Sequence, residues 1–260
     1  MIDGGSRSTR DGAPAWPRTL LLVRHGESAG NVARDLAEAA GHERIDIDDR
    51  DMDVGLSPNG ERQAEALGAW LRDRSDDAPT VVLSSPYTRA RRTAELAIGE
   101  AGLDTELILD ERLREREFGV LDRLTRRGIE TQFPDEAAAR TRIGKFYHRP
   151  PGGESWCDVG LRVRSALDSI SREHQGERVM LVAHQVVIFM FRYVIEHLDE
   201  AQILEISRQE ELVNCSVTTF ACGTDTSSGM ELVRFNETVA LERAGAPATT
   251  EDDPAPGGRA

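Results

Sequence analysis

Leu20-Leu21-Leu22-Val23-Arg24-His25-Gly26-Glu27-Ser28 decides how the rest of the chain is read. An unbroken aliphatic run bounded by polar residues suits a strand covered on both faces, so Thr19 to Val23 is predicted to be a buried strand. His25 falls where that strand stops. In open α/β sheets chemistry collects at the carboxyl ends of strands, and Gly26 permits a sharp turn that would aim an imidazole into a pocket. His25 is therefore a candidate nucleophile, although an isolated Arg-His-Gly reads more readily as the start of a surface loop.

Working outward, the same arrangement returns. Val179-Met180-Leu181-Val182-Ala183 is the most apolar strand candidate and ends at His184, and a helix with Val187, Met190, Phe191 and Val194 inward follows. His184 thus sits at a second strand-to-helix turn. Thr80 to Leu83 forms a short strand that runs into Ser84-Ser85-Pro86-Tyr87-Thr88-Arg89-Ala90-Arg91-Arg92-Thr93-Ala94, where a helix buries Ala90, Ala94, Ala97 and Ile98 and carries Arg89 near its start. Ser28 can cap a helix running through Asn31 to about Ala40. Asn31 lies one turn in, where its amide can face the ligand that His25 contacts. His42 to Gly55 is acidic and sparse in apolar residues, and reads as a solvated loop. Ser57-Pro58 opens a further helix with Ala64, Leu67, Gly68 and Leu71 on its core face. Thr105 to Leu109 is another strand, a helix with an apolar stripe from Trp156 to Ile170 begins after Ser155, and Val217 to Ala221 with Met230 to Phe235 completes the sheet as a hairpin. Strands alternating with helices define an α/β protein.

Together these segments resemble the histidine phosphatase superfamily, also called the phosphoglycerate mutase-like family, from about residue 18 to 222. Arg24-His25-Gly26-Glu27 matches its Arg-His-Gly motif, Ser84 to Thr93 its Ser-Ser-Pro-x-x-Arg-Ala-x-x-Thr motif, and Leu56 to Ala64 its structural Leu-Thr-x-x-Gly-x-x-Gln-Ala segment. The resemblance implies a three-layer α/β/α sandwich with a mostly parallel central sheet, and it makes Arg89 a phosphate ligand beside Arg24, Asn31 and His184. Glu111-Arg112-Leu113-Arg114-Glu115-Arg116-Glu117-Phe118-Gly119 is similar to the family's Leu-x-Glu-x-x-aromatic-Gly turn, which places the general acid at Glu115. Glu111 and Glu117 are nearby carboxylates, for which solvated ion pairing is the ordinary role.

Residues 116–150 correspond to an insertion that covers the active site in the family. They read as short helices, Asp122 to Gln132 and Asp135 to about Ile143, broken by Pro134, with Arg126, Arg127, His148 and Arg149 as candidate contacts to the substrate. Such a cationic lid would suit a second phosphate or a carboxylate, and a charged surface excursion is the equal alternative. Pro150-Pro151-Gly152-Gly153-Glu154-Ser155 is another family mark. Gln185 stands where most members have Gly, as it does in the phosphatase half of the bifunctional fructose-2,6-bisphosphate enzymes.

Bulk properties narrow the function further. The 260-residue chain is 39% hydrophobic, enough for the single domain expected over residues 18–243, and polar, Pro- and Gly-rich stretches at 1–17 and 244–260 read as disordered tails. A net charge of −14 argues against a nucleic-acid surface. Three cysteines without a CxxC pair indicate neither disulfides nor zinc, and no metal-ligand pattern or cofactor is expected. With no apolar signal core, and with its longest apolar run interrupted at His184 and Gln185, the chain is expected to be a soluble cytoplasmic protein. The resemblance implies a metal-independent phosphomonoester hydrolase working through a phosphohistidine on a small phosphorylated metabolite. A phosphoglycerate mutase using the same intermediate, and a noncatalytic phosphate-binding regulator, are the alternatives.

Overall fold

The computed structural model describes residues 16–223 and 229–250. Among them six strands, β1 (Thr19–Arg24), β2 (Val81–Ser84), β3 (Leu107–Leu109), β4 (Arg178–Ala183), β5 (Val217–Cys222) and β6 (Met230–Glu237), form one mixed sheet in the order β3-β2-β4-β1-β5-β6. β1, β2, β3 and β4 run parallel, whereas β5 pairs antiparallel with both β1 and β6. The aliphatic run of β1 is explained by its place between β4 and β5, with every residue from Leu20 to Arg24 buried.

The pleat divides β1 between two cores. Leu21 and Val23 pack with Met180 and Val182 against α2 (Pro58–Arg72) and α3 (Thr88–Ala101). Leu20 and Leu22 pack with Val179 and Leu181 against α6 (Trp156–Glu173) and α7 (Gln185–Ile195). The result is the expected three-layer α/β/α sandwich. Because β1, β2 and β4 point the same way, the turns leading into α1 (Ala29–Ala39), α3 and α7 all open on one edge of the sheet. Trp156, 1% exposed, is core as its helical stripe indicates.

Several boundaries differ from the sequence reading. Two helices separate at Pro134 as expected, but the first begins after Asp122: α4 (Arg126–Gln132) is capped by Thr125, and α5 (Pro134–Ile143) starts with proline in its first turn, where no amide hydrogen is needed. α8 (Glu200–Gln209) was not expected, although Asp199 and Gln202 form a capping box at its start. The stretch 42–55 is not fully solvated, since Ile45 and Val54 are buried. At the C-terminus α9 (Val239–Ala244) reaches into the expected tail. Beyond it, Pro247 O accepts from Gln63 Nε2 at 2.7 Å, and Thr249 O accepts from the Asn214 amide at 2.8 Å. Trp16 O likewise accepts from Gly176 N at 3.0 Å. The remainder of both expected tails, and most of the turn between β5 and β6, lie outside the described residues.

Candidate active site

Four side chains from three parallel strand ends and one loop meet at this edge. His25 and His184 approach with ring centroids 5.0 Å apart, both almost wholly buried. His25 Nδ1 lies 2.7 Å from Gly26 O, a contact that requires the proton on Nδ1 and leaves Nε2 with its lone pair. His184 Nε2 lies 2.8 Å from Ser85 Oγ, and Ser85 Oγ also accepts the Tyr87 amide hydrogen at 3.2 Å. Glu115 Oε2 stands 3.8 Å from His184 Nδ1. Burial holds the His184 imidazole neutral, with a pKa well below 6.5, and the positive charges of Arg89, Arg162 and Arg24 reinforce the shift.

Each of these groups is fixed by its backbone surroundings. Arg24 reaches from the end of β1 to donate from Nη1 to Leu212 O. The carbonyl of His25 accepts from Asn214 Nδ2 at 3.0 Å, and the Cys215 amide, turned by a left-handed φ of 56°, donates to Arg24 O at 3.0 Å. Thr93 Oγ1 accepts from Gly26 N at 3.0 Å and donates to Arg89 O at 2.8 Å, tying the first strand-to-helix turn to the second. Gly26 does not need a positive φ here. It needs space, because a Cβ there would meet Gly60 O at 2.6 Å, and a Cβ on Gly60 would meet Glu27 O at 2.0 Å. The segment from Leu56 to Ala64 buttresses this turn: Gln63 Oε1 accepts from Glu27 N at 2.8 Å, and Ser57 Oγ donates to the Glu27 carboxylate.

Glu115 is set by a separate lattice of charges. Its Oε1 accepts from Arg116 N at 2.7 Å, while its carbonyl accepts from Arg162 Nη2 at 3.2 Å. Glu154, from the Pro-Gly-Gly-Glu-Ser turn, pairs with Arg162 at 3.0 Å and Arg114 at 2.8 Å. Neighbouring Glu117 instead accepts the Tyr87 hydroxyl hydrogen at 2.8 Å, and burial with that bond raises the tyrosine pKa.

A cavity of about 90 Å³ adjoins this cluster, its wall including Arg89 and Glu115 but not Arg24, His25 or His184. Asn31, Arg34, Asp51, Arg89, Glu115, Phe118, Asp122, Arg123 and Gln185 are among its lining residues. Of the sequence candidates, His25 and Glu115 contact or approach His184, and Arg24 and Arg89 lie close enough to act on its charge, so these five are brought together. Asn31 faces the cavity but its Oδ1 accepts from Ser28 N at 2.8 Å, completing the capping box of α1, so part of its amide serves the helix. The four lid residues are not brought in. Arg149 pairs with Asp158, His148 Nε2 lies 3.1 Å from Glu136 Oε2, and Arg126 and Arg127 lie on the exposed surface of α4. Arg123 takes the place expected of them, although its Nη1 and Nη2 donate to Ile47 O and Asp49 O at 3.2 and 2.8 Å. Sequence reasoning also missed Asp51, Ser85 and Asn214. Ser85 was within the recognised motif, whereas nothing local marks the other two.

Residues 20–238 match the histidine phosphatase superfamily, branch 1. A probable phosphoglycerate mutase GpmB of Photorhabdus laumondii is 33% identical over 171 residues, covering 65% of this chain and 70% of that protein. A 2,3-bisphosphoglycerate-dependent phosphoglycerate mutase of Methylobacterium radiotolerans is 34% identical over 192 residues, 73% of this chain and 84% of the relative. Among solved structures, a mycobacterial glucosyl-3-phosphoglycerate phosphatase complexed with VO3 aligns with a TM-score of 0.64 and 26% identity, covering 84% of this chain and 99% of its own. With the motif residues gathered at one sheet edge and the match spanning most of the sequence, the chain belongs to the histidine phosphatase superfamily.

Proposed function

We propose that this enzyme hydrolyses small phosphomonoesters through a phosphohistidine on His25, without a metal. The observation that carries the reading is the contact of His25 Nδ1 with Gly26 O beside a buried, neutral His184 and the Glu115 carboxylate. Phosphoryl transfer needs an in-line nucleophile, positive charge on the nonbridging oxygens and a proton for the leaving group. In the first step His25 Nε2 bonds to phosphorus as the phosphorus–oxygen bond to the leaving group breaks, and the departing alkoxide takes a proton from Glu115. Arg24, Arg89 and Asn31 supply charge and donors to the phosphoryl oxygens. In this tautomeric scheme the Ser85 hydroxyl donates to His184 Nε2, leaving a proton on His184 Nδ1 for the same oxygens. In the second step the Glu115 carboxylate accepts a proton from water, whose oxygen bonds to phosphorus as the Nε2–phosphorus bond breaks, and inorganic phosphate leaves.

The mutase names of the relatives favour a second reading, in which the phosphoryl group returns to a phosphoglycerate instead of water. The phosphatase neighbour favours hydrolysis. Phosphate release from a panel of phosphomonoesters in EDTA, run beside interconversion of the two phosphoglycerate isomers, separates the readings. Hydrolysis should survive EDTA, fall by about 10⁴-fold or more in His25→Ala, and fall by about 10² to 10³-fold in Glu115→Gln. Isomer interconversion without phosphate release would establish the mutase instead.

A further inference from the structure

Arg89 is already held by an anion that belongs to the chain. Its Nη1 donates to Asp51 O at 2.6 Å and lies 3.0 Å from Asp51 Oδ1, while Nη2 donates to Asp51 Oδ2 at 3.3 Å. The arginine side chain is only 6% exposed, whereas that of Asp51 is 39% exposed. Two carboxylate oxygens against two guanidinium nitrogens is the same fork with which arginine grips two oxygens of a phosphate. We propose that Asp51 is a resident competitor for Arg89, which sets the affinity of the pocket because a phosphoryl dianion must displace it.

The inference rests on the reading that Arg89 binds the phosphoryl group. Sharing is unfavourable, since a carboxylate and a phosphate dianion crowded onto one guanidinium repel each other at close range. Beyond Asp51 and Arg89 the wall carries Asp49, Glu115 and Asp122 against Arg34 and Arg123, so its acids still outnumber its bases. The segment that carries Asp51 is arranged to yield. Asp51–Asp53 is a single turn of 3-10 helix with no buried residue. On one side Arg123 pins the carbonyls of Ile47 and Asp49, and on the other Gly55 O accepts from Ala29 N at 3.0 Å next to buried Val54. The turn between these anchors can swing aside without opening either core.

Asp51→Asn tests this against Asp53→Asn, which removes the same charge from the same turn but from a side chain that pairs with Arg50 at 2.6 Å. Binding of inorganic phosphate and of orthovanadate would be measured by titration calorimetry, and KM and kcat with para-nitrophenyl phosphate. Asp51→Asn should bind phosphate about tenfold tighter and lower KM to a similar degree without raising kcat, whereas Asp53→Asn should stay within about twofold of the parent. Unchanged or weaker binding in Asp51→Asn overturns the proposal, as does an equal gain in Asp53→Asn, which would assign the effect to the general field. Failure of the folded parent to bind either anion would defeat the phosphate-pocket reading itself, a result distinct from failure of the Asp51 variant alone.

Discussion

The His184 ring is buried, and Arg89 and Arg24 add positive charge to the cost of protonating it. The unfolded chain, with its imidazole near an ordinary pKa of about 6.5, therefore binds a proton that the folded chain refuses. That contribution to stability is complete above about pH 6.5 and is lost progressively as pH falls toward the depressed folded value. We expect the urea midpoint to drop between about pH 7 and about pH 5.5, and to drop less steeply in His184→Asn. An identical slope in the variant would place the proton uptake elsewhere, for instance at His148, whose pKa burial also lowers. Both histidines of the candidate site were legible because each terminates an aliphatic run, a signal that depends only on neighbours in sequence. Asn214 and Asp51 were not, because the partners that give them meaning, His25 O and Arg89, lie far away along the chain.

Among the elements, the approach of α2 to the turn after β1 is the tightest constraint at the site. Gly60 fits because its missing Cβ would overlap the backbone oxygen of Glu27, which is held by a hydrogen bond from Ser57 N at 2.9 Å. Gly60→Ala should therefore destabilise by about 3 kcal/mol in urea unfolding and displace Glu27. Gly99 in α3 has nothing within 4 Å of the same position, and Gly99→Ala should instead stabilise by about 0.5 to 1 kcal/mol. Opposite signs are the test; a loss at both positions would mean that helix context, not the contact with Glu27, governs Gly60. The strand-to-helix junctions, the caps at Ser28, Ser57 and Ser155, and the burial of Trp156 could be read from periodicity and local chemistry. The lid could not. Its charges were visible, but sequence does not say that Arg149 turns to Asp158 or His148 to Glu136, and those pairings decide that neither reaches the cavity.

For the whole molecule, β1 leads into His25 and lies inside the sheet, flanked by strands made much later in the chain. The last described residues close the arrangement, with Thr249 Oγ1 donating to Asn214 Oδ1 at 3.0 Å while Asn214 holds His25 O. A chain ending at Ala246 should keep its fold but lose about five- to tenfold in kcat, since Asn214 is left without this brace. Unaltered turnover would show that the brace serves stability alone. The placement of β1 also has a consequence for biosynthesis. As translation proceeds, Leu20 to Val23 leave the ribosome long before residues 178–183 and 217–222 exist to pair with them. Until then the segment is an unpaired aliphatic stretch of the kind that makes incomplete chains prone to aggregate, and the histidine-bearing ends of β1 and β4 are not yet together.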